Sequence, residues 1–291
     1  MARKPKMTLE ERRAYGAKMR AELEAVMRRA YGALETDPQF WAAVVRTAAR
    51  LQDRSPVNVV AITAQFPAAT CVMSAGDWKK VGRRPVRGSS AIRVWTPIKR
   101  RSAVEDGEDV DGEPTPSARV QGRVSGYKAG SVFDITQTEG EAYDPPLALT
   151  PPPAEVVRDV LAGQYLEYYE EEPPGADDFG SAEDVLDGAV RALLFAHAWR
   201  RIDRSDAPLP RQREAEAASA AHLAALLLGV APGPVAVPPV AGVLAPGDKP
   251  LIRESVIRVI ETGRAIADAV QVDANAPDIV GDYGAAEPVS G

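Results

Sequence analysis

Residues 70–98 read TCVMSAGDWKKVGRRPVRGSSAIRVWTPI, and the succession of patterns within them sets the fold class. Thr70 to Met73 is β-forming and reads as a strand. Ser74 to Val81 reads as one or two helical turns, and Ser90 to Ile98 as a second strand. Strand, short helix and strand in so short a span indicate a small α+β domain. Between the two strands, Gly82, Pro85 and Gly88 punctuate a run of arginines, so Gly82 to Gly88 is expected to form a turn whose backbone amides can face an anion. It is not a P-loop, because Arg87 stands where the lysine would have to be and no strand-loop-helix of the right length surrounds it.

The same stretch concentrates positive charge. Lys79, Lys80, Arg83, Arg84, Arg87, Arg93, Lys99, Arg100 and Arg101 follow one another without a single acidic residue, in a chain whose formal net charge is −6. Trp78 and Trp95 bracket the segment. Cations interleaved with aromatic faces suit a single nucleic-acid strand, which needs screening for its phosphates and stacking for its bases. The binding so implied has little sequence preference and weakens with salt. For either tryptophan taken alone, burial in a core is the commoner fate, and the arginines alone would make a solvated surface. The segment as a whole favours the nucleic-acid reading.

Outward from this stretch the pattern is helical on the N-terminal side. Thr8 with Glu11 forms a capping box ahead of a helix reaching about Leu34. Asp37-Pro38 opens a second helix with Phe40, Trp41, Val44, Val45, Ala48 and Leu51 on one stripe, and Ser55-Pro56 caps a third that Pro67 closes. On the other side, residues 102–117 are acidic and nearly free of apolar side chains, and read as a mobile loop. Val120, Val124, Val132, Phe133 and Ile135, interrupted by Gly126 and Gly130, suggest a hairpin ending at Thr138. These pieces define a domain over residues 1–143, and a proline-rich linker follows at 144–153. Residues 154–270 are mostly helical, with helices expected over Ala154–Ala162, Ser181–Ile202, Arg211–Leu228 and Ile252–Val270. Gln164 to Tyr169 reads as a strand, residues 231–250 as a proline-rich loop, and 271–291 as a disordered tail.

With 291 residues and 45% hydrophobic content, the chain can bury a sizeable core. Its one cysteine, Cys71, excludes an internal disulfide framework and reads as a strand thiol in a reducing compartment. No apolar run reaches the length of a membrane span, and the start lacks the apolar core of a signal peptide, so a cytoplasmic location without membrane contact is expected.

The residues Ser55, Asn58, Gln65, Pro67, Ala69 and Thr70, then Trp78, Lys80, Gly82, Arg83, Val86, Gly88, Ile92 and Pro97, and finally the run Val132 to Gly140, resemble the ArdC-type antirestriction proteins of plasmids and phages. The resemblance covers roughly residues 8–143 and implies a domain that binds single-stranded DNA. It carries DNA contact to Asn58, Gln65, Trp78, Lys80, Arg83, Arg84, Arg87 and Gln137, the last able either to read a base edge or to fix a loop. Together with Lys79, Arg93 and Trp95 of the basic segment and Thr138, these are the candidate DNA-binding residues. Asp134, Thr136 and Thr138 have another reading, in which they satisfy loop amides.

Proteins of this type commonly continue into a zincin-like metallopeptidase domain with a His-Glu-x-x-His helix, in which paired histidines hold zinc and the glutamate activates its water. The corresponding positions here are Gly188, Ala189 and Ala192, which can neither bind metal nor move a proton. The next helix keeps the family's look at Arg213 to Ala217 and at Leu226 to Gly229. The only histidines, His197 and His222, fall on different helices, and a substitute site made of them with Glu214 is the sole rescue available. The second half therefore reads as a degenerate zincin-like scaffold with no catalytic residues, metal or cofactor. The resemblance implies antirestriction or DNA protection for a mobile element, with single-stranded DNA and a host restriction component as partners. The alternative is a pseudopeptidase adaptor whose helical half binds a protein.

Overall fold

The computed structural model describes residues 7–100, 123–145, 150–173, 182–203, 210–231 and 249–275. The acidic segment 102–117, most of the proline-rich segment 231–250 and most of the tail lie outside them. The fold is α+β, predominantly helical with two small antiparallel sheets.

Three helices lead: α1 (Leu9–Thr36), α2 (Pro38–Arg50) and α3 (Pro56–Gln65). Local chemistry fixes their starts. Thr8 Oγ1 accepts from the Glu11 amide at 3.2 Å while the Glu11 carboxylate accepts from the Thr8 amide at 2.7 Å, closing the capping box. Asp37 accepts from the Gln39 amide and Pro38 takes the first helical position of α2. Ser55 stands at the N-cap of α3, but its hydroxyl makes no capping bond.

Strand β1 (Val72–Met73) precedes a short helix, α4 (Ala75–Lys80). Strands β2 (Arg83–Pro85), β3 (Ile92–Arg100), β4 (Arg123–Asp134) and β5 (Thr138–Gly140) follow, a 3-10 turn at Ile135–Gln137 joining the last two. One sheet has the order β1-β4-β3, and β2 pairs with β5 in the other. Two sequence expectations are corrected here. Gly82 to Gly88 is not simply a turn, because Arg83, Arg84 and Pro85 are extended opposite Gly140, Glu139 and Thr138. The close approach needs glycine: a Cβ on Gly140, whose φ is +135°, would lie 2.3 Å from the Gly82 carbonyl oxygen. Nor do the described residues 123–138 fold back on themselves. The interrupted run is one long strand, β4, paired along β3 from Ile92↔Val132 outward. Gly130 is no turn residue but makes room for Thr96, whose Oγ1 would sit 2.2 Å from an added Cβ.

Four helices complete the chain: α5 (Ala154–Tyr169), α6 (Ala182–Asp203), α7 (Pro210–Leu227) and α8 (Lys249–Ala274). The strand expected at Gln164 to Tyr169 is the last part of α5. Its burial stripe runs Val156, Val157, Val160, Leu161, Gln164, Tyr165 at helical spacing, so packing overrides the β-preference of the tyrosines.

A single apolar cluster joins the leading helices to the trailing ones, with Leu23, Leu34, Trp41, Val45 and Val60 packed among Leu161, Leu194, Leu223 and Ile260. Polar ties lie within it. The Trp41 indole donates to Ser219 Oγ at 3.1 Å. The Arg264 guanidinium, from α8, donates to the carbonyls of Ala48, Leu51 and Arg54 at 3.1, 2.9 and 2.7 Å and so closes the C-terminal end of α2. A smaller cluster of Leu51, Ile62, Ala69, Val72, Ile92, Val94 and Val132 seats α3 on the sheet. No described helix is long and apolar enough to cross a membrane.

Candidate nucleic-acid interface

Trp78 anchors the basic segment from within. Its ring is fully buried, its indole donates to the Phe133 carbonyl at 2.8 Å, and Tyr143 meets it edge-on at 5.5 Å. It holds α4 against β4 and offers no stacking face. Ser74 caps α4 by accepting from the Asp77 amide, and the hydrogen bonds from Lys80 and Ser74 hold the Asp77 carboxyl below its ordinary range.

The arginines of β2 divide by alternation. Arg83 turns inward and is spent on β5: Nε donates to Thr138 Oγ1 at 2.9 Å, one terminal nitrogen to the Thr138 carbonyl at 2.9 Å, and the other to the Glu141 carbonyl. Its guanidinium also lies 6.0 Å from the Trp78 ring centroid. Arg84 points out and pairs with exposed Glu139 at 3.0 Å, an arrangement that solvent screens heavily. Lys79 and Arg87 are exposed and have no partner among the described residues, and Lys80 pairs only with Asp77 at the surface. Lys79, Arg83 and Arg84 share a shallow cleft of about 430 Å³ with Glu139 and Gly140. The side chains of Lys99 and Arg100, and all of Arg101, lie outside the described residues.

The amides of α3 have another task. Asn58 and Gln65, two turns apart, face β3, the outer strand of its sheet. Asn58 donates to the Trp95 carbonyl at 2.9 Å and accepts from the Trp95 amide at 2.8 Å. Gln65 repeats the exchange at Arg93, at 2.9 Å each way. The two side chains thus occupy hydrogen-bonding positions that a further strand would otherwise fill. Arg93 itself donates to Ser131 Oγ at 2.6 Å and pairs with Glu22 at 3.4 Å. The half-buried Trp95 has the Arg20 guanidinium 5.7 Å from its ring centroid.

Gln137 fixes a loop. Its Oε1 accepts from the Asp134 amide at 2.9 Å and its Nε2 donates to the Ser90 carbonyl at 2.8 Å. The buried Asp134 carboxylate accepts from the amides of Thr70, Cys71 and Thr136 and from the Thr136 hydroxyl. Thr138 is buried, donating to the Ile135 carbonyl while accepting from Arg83. Burial, and then the Asp134 charge, push the Cys71 thiol up, which suits an inert cysteine; it stands just ahead of β1 and not within the strand as expected.

Sequence reasoning missed a second feature beside this corner. A cleft of about 1000 Å³ opens between α3, α4 and the β3–β4 pair, lined by Trp95, Pro97, Val124 and Tyr127, with Arg54 and Arg253 among its polar walls. Tyr127 is 59% exposed although it sits in a strand. An aromatic residue between Gly126 and Lys128, in an otherwise polar and solvent-facing part of β4, was the available signal.

In the helical half, Gly188 and Ala189 are buried and Ala192 is half-buried, and none of the three carries a side chain able to bind a metal. His197 is buried, with Nε2 2.9 Å from the Leu161 carbonyl and its ring against Tyr165 and Tyr169, and burial holds its pKa below the ordinary value. His222 is half-buried, and burial and Arg46 lower its pKa as well. Among the described residues no three His, Cys, Asp or Glu side chains gather as a metal site would require, and His197, Glu214 and His222 form no such group.

No protein-family model matches the chain, and no curated protein is similar to it in sequence. Among solved structures, it is similar to the metal-free crystal structure of the antirestriction ArdC protein from the R388 plasmid, with a TM-score of 0.47 and 14% identity over 86% of this chain and 98% of that one. It is similar also to the Mn(II)-bound structure of that protein, with a TM-score of 0.47 and 14% identity over 88% of this chain and 98% of that one.

Proposed function

We propose that the protein binds single-stranded DNA with little sequence preference, and that the binding protects DNA of a mobile element from host restriction. The observation that carries the binding is the exposed set Lys79, Lys80, Arg84 and Arg87, gathered on the α4–β2 corner of a chain that is acidic overall. A cation that is free, or paired only across solvent, exchanges its partner for a phosphate at little cost and releases counterions as it does so. Asn58, Gln65, Trp78, Arg83, Gln137 and Thr138 act in this reading as the frame that holds the corner, not as contacts. Arg93 and Trp95 lie on the neighbouring strand. The protective role rests on the residue-level resemblance to antirestriction proteins.

Fluorescence anisotropy with labelled oligonucleotides tests the binding. Single strands should bind more tightly than duplexes of the same length, and affinity should fall steeply between about 50 and 200 mM salt. Equal binding to both forms, or none, overturns the reading. Transfer of an unmodified plasmid into a restricting host, with and without the protein, tests the protective role, and equal transfer refutes it.

A further inference from the structure

We propose that the cleft between α3, α4 and the β3–β4 pair is the site that takes the bases of the bound strand, with Tyr127 and Trp95 as its stacking platform. The inference rests on the reading of the protein as a single-stranded-DNA binder and assigns its base-contacting half. Three observations carry it.

First, the cleft and the cationic corner adjoin. Asp77 of α4 and Ser74 at its N-cap line the cleft, while Lys79 of the same helix lines the shallow depression shared with Arg84. A helix as short as α4 spans about 9 Å, so phosphates held at the corner leave their bases within reach of the cleft. Second, the charges of the cleft balance. Arg54 and Arg253 are offset by Asp53 and Asp77, and these are already engaged, Asp53 by Arg54 at 3.0 Å and Asp77 by Ser74 and Lys80. A balanced wall with an aromatic and apolar floor suits an uncharged planar group better than a phosphate. Third, part of the floor stands open to solvent: Tyr127 is 59% and Val124 47% exposed on β4, while the half-buried Trp95 is fixed between the core and the Arg20 guanidinium, beside a volume at the upper end of what small-ligand sites enclose. Asn58, whose side chain clamps the backbone of Trp95, keeps that platform fixed before any ligand arrives.

Two oligomers of equal length and charge separate the base contribution from the phosphate contribution: oligothymidylate and an abasic sugar-phosphate chain. The wild-type protein should prefer oligothymidylate. Tyr127→Ala, at an exposed position where folding is not at stake, should weaken oligothymidylate binding roughly fivefold or more and leave the abasic chain unaffected. Trp95→Phe, which keeps an aromatic body in place, should abolish most of the tryptophan fluorescence quenching caused by oligothymidylate, since Trp41 and Trp78 are fully buried and Trp199 is stacked with Phe195 on α6. If Tyr127→Ala changes neither affinity, or changes both equally, the cleft is not the base site, while DNA binding at the corner stands. If the wild-type protein binds neither oligomer, the reading as a DNA binder falls, and this assignment falls with it.

Discussion

At the α4–β2 corner, cations face water and are held only loosely; between α7 and α8, a fully buried carboxylate meets a guanidinium that is mostly buried. Glu216 is fully buried, accepts from Arg258 at 2.9 and 2.8 Å and from Gln212 at 2.8 Å, and Gln212 extends the network to Ser255 at 2.9 Å. The hydrogen bonds it donates to Glu216 raise the Arg258 pKa, so the guanidinium stays charged throughout. Arg84 and Glu139 make an ion pair of similar length with both side chains more than half exposed. Similar pairs thus have opposite consequences. The buried one specifies how two helices meet, and the exposed one is available for exchange with a ligand. Arg83 belongs with the first kind, although it lies in the middle of the second.

The largest effect should come from breaking the buried pair. Arg258→Ala leaves the Glu216 carboxylate in the core with only an amide for company, and should cost about 3–5 kcal/mol in urea denaturation. Replacing both partners with apolar side chains of similar volume, Glu216→Leu with Arg258→Met, should recover much of that deficit. An Arg258→Ala protein as stable as the wild type would show that solvent reaches the pair and would erase the contrast with the corner. Next in size, Arg83→Ala removes three donations to β5 and its flank and should lower stability by about 2 kcal/mol, whereas Arg84→Ala, one residue away, should leave the denaturation midpoint unchanged. Equal effects from the two would contradict the inward and outward division of β2.

That division also marks which parts of the molecule are legible in the sequence. Helix starts are legible because their chemistry is local: Thr8 with Glu11 and Asp37 with Pro38 act within a turn of themselves. The pairing of β2 with β5 is not, since it joins residues more than fifty positions apart through two glycines whose common signature is a turn. Gly130 misleads for the same reason, being set by Thr96 on the facing strand. Among the candidate contacts, Asn58, Gln65 and Gln137 stand out as amides able to read a base edge. The same donor and acceptor pair reads a backbone edge equally well, and here it does so on β3 and at the turn after β4. The exposed cations are legible as a set, but composition cannot tell Arg83 from Arg84. Tyr127 escapes because exposure, which is what makes it a candidate, is a property of the fold alone.

A smaller effect, dependent on pH, comes from the core, on α6. His197 is held neutral by burial, its folded pKa depressed below the ordinary value near 6.5, with Arg201 adding to the depression and the bond to Leu161 opposing it. Below that ordinary value the unfolded chain takes up a proton that the folded chain refuses. Stability is therefore complete above about pH 7 and declines as pH falls from there toward the folded pKa. His222 acts in the same direction. His197→Gln, which keeps a donor for the Leu161 carbonyl, should have a melting temperature that drops less between about pH 7.5 and 5.5 than that of the wild type. An identical drop would assign the acid sensitivity elsewhere.

The smallest effect on stability, and the most telling for function, belongs to the outward cations. Lys79→Ala, Arg84→Ala and Arg87→Ala should each leave the melting temperature where it is, because none supports the fold. Each phosphate that is no longer neutralised should reduce the slope of log affinity against log salt by about 0.7 for a single strand. The triple variant should therefore flatten the slope by about two units, with preference among oligonucleotide sequences unaltered. Arg83→Ala supplies the comparison: once corrected for its lower stability, its slope should match that of the wild type, since its guanidinium is committed to Thr138 and Glu141. A slope reduced by Arg83→Ala but not by Arg84→Ala would mean that β2 turns over when DNA binds, and that the inward arginine is the one that meets the phosphate.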